Sequence, residues 1–333
     1  MEIKEIENKN IWENFINRYC PEALFQSWLW GEVVKRNQHL WRWGIFDKKE
    51  LIGIAQVNKV KAKRGTFLHI RHGPIFSSLN VSNYEFFLSF LKNIAKKEKA
   101  SFLRISPLLL DNEENRNFFK KIGFRNSPIH AMDGEYCWVL DINKSENELL
   151  AGMRKTTRYL IKKAEKLGVE IIKSKKFKDL DDFFSLYAET ARRHKFVQHV
   201  SIREEFEELS KEDKIIIFKG CYQKKLLAVA LIIFYNNQAI YHHSASIEQK
   251  IPVNYLLQWE AIKEAKRLGK NLYNFWGVAP EGKKRHPWLG HSLFKRGFGG
   301  RIISYLHAQD YPLSIRYCTT YVIELLRKWR KGY

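Results

Sequence analysis

Apolar residues in this chain follow two spacings, and the two spacings come round twice in the same order. Residues 44–57, GIFDKKELIGIAQV, read as a strand, a charged turn and a second strand. Residues 220–233, GCYQKKLLAVALII, repeat that reading, and the nine-residue apolar run LLAVALIIF within and just beyond them predicts a buried strand. Each hairpin is followed by a segment with apolar positions at i, i+3 and i+4 that turns strand-like at its end: residues 84–106 in the first half and 254–276 in the second. With one gap after the paired lysines, Leu51 aligns with Leu226, Gly53 with Ala228 and Ala55 with Ala230, an offset of 175 residues. Ala95 matches Ala265 at an offset of 170, and Lys120 matches Lys295 at 175 again. Such recurrence marks a duplicated unit of strand–turn–strand, helix, strand, short helix and strand. A mixed sheet with helices on its faces satisfies that order, so the expected class is α/β (α+β) in two tandem domains. We place them at 1–147 and 148–312, with a C-terminal helix over about 313–333 able to pack back on the first.

Between the halves, MRKTTRYLIKKAEKLGVEI (153–171) predicts a basic helix ended by Gly168, and residues 177–196 predict a second helix with Arg192, Arg193 and His194 near its end. The closing stretch SIRYCTTYVIELLRKWRKGY predicts an amphipathic helix with Trp329 among Arg327, Lys328, Arg330 and Lys331, a composition suited to anionic headgroups.

Charge narrows the partners. Among 333 residues, 58 Lys and Arg face 36 Asp and Glu, a formal net charge of +22, which favours a polyanionic partner: nucleic acid, an acidic lipid surface or a phosphorylated substrate. The four cysteines are far apart and form no C-x-x-C, so reduced thiols and a cytoplasmic location are expected. The charged N-terminus has no apolar core of a secretory signal, and no apolar run could span a bilayer.

The tracts YLLQWEAIKEAKRLGKNLYNFWGVAP (255–280) and HPWLGHSLFKRGFGGRIISY (286–305) resemble the FemABX peptidyltransferases. QSWLWGEVVK (26–35), RHGPIFS (71–77), FLRISP (102–107), the basic helix and ETARRHKF (189–196) follow the family's order. The resemblance implies two GNAT-like domains and transfer of an amino acid from aminoacyl-tRNA onto the stem peptide of a peptidoglycan precursor, either UDP-MurNAc-peptide or lipid-linked. Without sustained heptads, the chain is similar to members lacking the coiled-coil arm. Aminoacyl-tRNA is then a co-substrate, and no cofactor is expected.

The resemblance also assigns roles. Amine attack on an activated ester builds an oxyanion, and Lys295 is the residue expected to stabilise it, with Phe294 shaping the channel and Gly299 and Gly300 admitting substrate closely. On this reading Lys295 faces an open groove. The first copy of the phrase, FKKIGFR (119–125), lacks the glycine pair and is expected to keep the fold without the chemistry. Lys35, after Trp30 and Gly31, matches the first diphosphate-binding position, while Arg193, His199 and Arg203 are the alternatives for the second. Tyr241 keeps an aromatic lining position. Ser106 stands where the family often has an aspartate, and Ala308 where an acid is expected, so neither position offers a general base. SIEQKIPVNYLLQ and SLNVSNYEFF open the two central helices without glycine, which argues against an acyl-CoA donor. His242 and His243 sit on a predicted strand where neighbours point to opposite faces, so no metal is expected. Two other readings remain: a GNAT acyltransferase with another donor, and an inactive relative that binds nucleic acid.

Overall fold

The computed structural model describes residues 1–62, 65–194, 198–248, 250–283 and 285–333. In chain order the strands are β1 (Glu2–Glu5), β2 (Leu40–Asp47), β3 (Glu50–Ala62), β4 (Gly65–Arg71), β5 (Ile75–Phe76), β6 (Phe102–Ser106), β7 (Arg125–Asn126), β8 (Tyr136–Asp141), β9 (Glu170–Ser174), β10 (Ile215–Tyr222), β11 (Lys225–Tyr235), β12 (Gln238–Ser246), β13 (Leu272–Gly277), β14 (Arg301–Ser304) and β15 (Gln309–Pro312). The helices are α1 (Lys9–Tyr19), α2 (Trp28–Lys35), α3 (Val81–Lys97), α4 (Glu113–Lys121), α5 (Glu146–Gly152), α6 (Lys155–Lys166), α7 (Leu180–His194), α8 (Ile202–Ser210), α9 (Val253–Arg267), α10 (Leu289–Arg296) and α11 (Arg316–Arg330).

Two compact units result. One comprises Met1–Tyr136, Ala279–Pro287 and Ile303–Tyr333, the other Cys137–Val278 and Trp288–Ile302. Each is made of more than one stretch of chain, which a single division at 147/148 does not express. β8 belongs to the second sheet because its backbone pairs with β13, Leu272 opposite Asp141.

The first sheet runs β1-β2-β3-β4-β6-β15-β7, with β5 beside β3; the second runs β14-β8-β13-β12-β11-β10-β9. In each, one central pair is parallel, β4 with β6 and β12 with β13. A parallel pair needs a crossover, and α3 and α9 supply it. α3 starts where the Asn80 side chain accepts from the amides of Ser82 and Asn83, and it buries Tyr84, Phe87, Leu88, Leu91 and Ala95 along one stripe. α9 buries Leu256, Leu257, Trp259, Ala261, Ile262 and Ala265, and the chain turns at Gly269 with φ +68°. Ala95 and Ala265 are both fully buried under their sheets. At roughly 1.5–3 kcal/mol for each large apolar side chain buried, these two stripes are major stabilising terms for their units.

The hairpins preserve the duplication in detail. Register shifts fall between Ile45 and Phe46 in β2–β3 and between Gly220 and Cys221 in β10–β11, positions 175 residues apart. The turn-flanking pairs Asp47–Glu50 and Tyr222–Lys225 keep the same offset, as do the left-handed residues Lys48 (φ 54°) and Gln223 (φ 49°). The gap introduced to align the paired lysines is therefore unnecessary. Lys48 and Lys49 make the first turn, whereas Gln223 and Lys224 make the second and Lys225 already belongs to β11.

β15 lies between β6 and β7. On β6, Arg104 is buried and forms paired hydrogen bonds with Asp310 of β15 at 2.7 Å each, and a further one at 2.7 Å with Glu324 of α11. Two carboxylates on one buried guanidinium tie α11 to the first unit.

Candidate functional site

α10 is held by its aromatic face. Phe298, fully buried just beyond it, lies 5.3 Å from the Phe275 ring and 5.3 Å from Phe294, and Phe294 packs at 5.0 Å on Tyr255. With Phe294 anchored, the next residue is turned toward β13. Lys295 Nζ donates to the Gly277 carbonyl at 2.6 Å, and the Tyr241 ring centroid is 5.9 Å away. The ammonium is thus turned toward β13, on a side chain that stays partly exposed. Burial lowers its pKa to about 8, with the Cys137 thiol pulling weakly the other way. At neutral pH the amine still carries its proton. An ammonium has three N–H donors, and among the described residues one is used on Gly277. The counterpart Lys120 is exposed, while Phe119 beside it is fully buried. The first copy keeps the anchor and loses the inward cation.

The carbonyl that receives Lys295 follows an unusual residue. Trp276 is left-handed, φ 64°, inside a strand, and its amide donates to Asn274 Oδ1 at 2.8 Å. The β13–β8 register shifts between Asn274 and Gly277. A bulky residue in this region is strained by about 1–3 kcal/mol, and such strain clusters at functional sites. The glycine pair has a different role from the one expected. An added Cβ would sit 3.0 Å from the Gly152 oxygen at Gly299 and 2.2 Å from the Val139 oxygen at Gly300, at φ +82° and +97°. The glycines therefore admit the protein's own backbone, and Trp138 Nε1 donates to the Gly299 carbonyl at 2.6 Å.

A second cluster lies farther along β12. Leu231 of β11 pairs with His243 and Ile232 with Tyr241, which leaves His242 as the extra residue of a bulge. The bulge defeats the alternation expected of neighbouring strand residues. Nε2 of His242 and Nε2 of His243 both lie 3.0 Å from Oε2 of Glu205, a residue of α8. Burial alone would raise the Glu205 carboxyl, but the charge and hydrogen bonds of the two imidazoles outweigh it and hold the group well below the usual carboxylate range. Burial first, then His242, lowers the pKa of His243. His199, exposed, places its ring 5.2 Å from His243, and Trp276 meets His242 edge-on at 6.4 Å.

The remaining candidates separate. Arg193 donates to the Ser246 carbonyl at 2.8 Å. Arg203 pairs with Asp181 at 2.9 Å and lies 4.6 Å over the Phe184 ring, engaged with the outer side of α7. Lys195, Phe196 and Val197, within or beside the ETARRHKF tract, lie outside the described residues, as does Gln249 at the entry to α9. In the first unit, Lys35 pairs with Glu32 at 3.3 Å, and a cavity of about 290 Å³ is lined by Lys35, Trp28, Glu5, Leu40 and Arg42. Trp30 is buried with its ring 4.6 Å from Phe25. Ser106 ends β6, buried, its carbonyl accepting from the His72 amide at 2.8 Å. Ala308 is buried, and Asp310 close by is committed to Arg104. The structure brings Lys295 and Tyr241 together and His199 beside the histidine pair; Arg203 joins neither.

A mixed sheet with a parallel central pair and its crossover helix, present twice, defines a tandem GNAT-like protein. The chain is similar to a structure of FemX, with 18% identity, 97% of this chain and 100% of the other covered, and a TM-score of 0.82. It is also similar to the L-PGS structure from Bacillus licheniformis (12% identity, 100% of both chains, TM-score 0.59) and to a tandem GNAT protein from the clavulanic acid biosynthesis pathway (10% identity, 93% and 90% covered, TM-score 0.57). No curated protein sequence matches. The FemAB family profile matches residues 8–202 and 198–321, and the chain belongs to the FemAB family. At the level of that family the activity is aminoacyl transfer in building the interpeptide bridge of peptidoglycan.

Proposed function

We propose that this chain takes an amino acid from aminoacyl-tRNA and joins it to the stem peptide of a peptidoglycan precursor. The observation that carries the reading is the Lys295 ammonium, held by Gly277 beside the Tyr241 ring, with two donors left over among the described residues. The acceptor amine attacks the ester carbonyl, a carbon–nitrogen bond forms, and the carbonyl oxygen takes negative charge that those donors stabilise. Collapse breaks the ester bond, and the proton lost by the amine leaves with the ribose hydroxyl. Phe294 and Tyr241 shape the site around the reacting group. Lys35 is the first unit's candidate for the acceptor's diphosphate, and Arg193 and His199 are the second unit's. Asn80 satisfies the first amides of α3 with its own side chain, which leaves that helix end poorly suited to a CoA pyrophosphate.

No helix among the described residues is long and apolar enough to cross a membrane. α11 suits contact with one from the side. Val322, Leu325, Leu326 and Trp329 are exposed at i, i+3, i+4 and i+7, with Arg327, Lys328 and Arg330 around them. A lipid-linked acceptor is compatible with that face.

The test supplies charged tRNAs and both precursor forms and looks for a mass increment on the stem peptide. Wild type should give product and Lys295→Ala should lose at least about 100-fold in rate, the usual effect of removing one oxyanion donor. Equal rates would remove Lys295 from the site. Binding of tRNA with a steep salt dependence and no product would make the chain a binding protein.

A further inference from the structure

We propose that Glu205, His242 and His243 form a binding site for a divalent transition-metal cation of the zinc class. One ligand atom from each residue lies within 4.8 Å of the others, and both imidazole Nε2 atoms already stand 3.0 Å from the same carboxylate oxygen. A tetrahedral zinc ion with bonds of about 2.0–2.1 Å holds its ligand atoms about 3.4 Å apart. Widening the two histidine–glutamate contacts by a few tenths of an ångström brings them to that spacing. Two imidazoles and one carboxylate suit zinc, cobalt or iron(II) rather than magnesium or calcium, which take all-oxygen shells. Three protein ligands leave the fourth position open, as in sites whose metal holds a water or a substrate atom.

The fold is arranged to make this convergence. Adjacent strand residues ordinarily diverge, and only the His242 bulge, opposite Leu231 and Ile232, turns both rings to one side. Glu205 reaches them from α8, 37 residues away, with its side chain almost wholly buried.

The alternative is a plain hydrogen-bonded clamp, and the two can be told apart. The full chain, stripped with chelator, is titrated with Co²⁺ and then Zn²⁺, reading the visible d–d absorption of tetrahedral cobalt and the heat of binding. The variants are His243→Gln and His242→Gln, since glutamine can still donate to Glu205 yet ligates zinc-class metals poorly. His286→Ala, at a histidine far along the chain in the first unit, controls for casual surface binding. Wild type and His286→Ala should take up cobalt with the tetrahedral spectrum and release it to zinc. The two glutamine variants should keep the wild-type melting temperature without metal and lose more affinity than the roughly 10–100-fold that follows from disturbing a mere orienting partner. Zinc should raise the melting temperature of wild type and leave that of the variants unmoved. Failure of wild type to bind, an octahedral cobalt spectrum, or equal binding by His243→Gln would each overturn the proposal. The readout is cation binding, so the result stands whether or not aminoacyl transfer is found.

Discussion

Replacing Lys295 by Met removes one charge from a site where the structure makes charge expensive. Burial takes the Lys295 amine from its ordinary value of 10.5 down to about 8. The folded protein therefore gives up this proton first, and between those two values the unfolded chain binds more protons. Stability then rises with pH, and the penalty is fully present below pH 8. Integrating the linkage, wild type should gain about 2 kcal/mol relative to Lys295→Met between about pH 7 and about pH 9.5. Other titrating groups are shared by the two proteins and cancel in the difference. The assay is denaturant unfolding of both proteins at the two pH values. A constant difference would mean that the ammonium is solvated, and the inward geometry with its hydrogen bond to Gly277 would be wrong. The same titration bears on activity. If the charged form stabilises an oxyanion, transfer rate should fall as pH passes about 8. A rise there would make the neutral amine the active species.

Three further outcomes are expected. Gly300→Ala would place a methyl group 2.2 Å from the Val139 oxygen at φ +97°, and should lower stability by more than about 3 kcal/mol, read by denaturant midpoint. Arg104→Met would leave Asp310 and Glu324 buried without their cation, at a loss of about 3–5 kcal/mol, partly recovered when Asp310→Asn is added. Trp329→Glu, at a residue 80% exposed, should leave the melting temperature unchanged while weakening binding to anionic vesicles by roughly tenfold. Equal vesicle binding would remove the membrane role from α11.

Much of the fold could be read from pattern. Spacing alone revealed the duplication, and the hairpins, the crossover helices and the buried β11 stand where periodicity placed them, because alternation and the 3.6-residue stripe report burial directly. Sheet membership was less legible: β15 pairs with β6 across about two hundred residues, and no local signal marks such a partner. Lys295 stands out through its surrounding phrase, but the direction of its amine depends on Trp276 and Gly277, whose backbone conformation no side-chain pattern records. Glu205 escaped notice for a related reason. Neighbouring residues diverge in an ideal pleat, and a single extra residue at His242 instead brings both rings to one carboxylate oxygen.

The Arg104 knot has a bearing on how the chain is made. Its guanidinium is laid down 206 residues before Asp310 and 220 before Glu324. β15, the strand beside β6, likewise follows the second unit in the chain. The second unit, complete by Ile302, has every strand of its own core in hand earlier. Of the two units, the one that begins earlier is therefore completed later, and during synthesis it waits with an unsheltered β6 edge and an uncompensated cation.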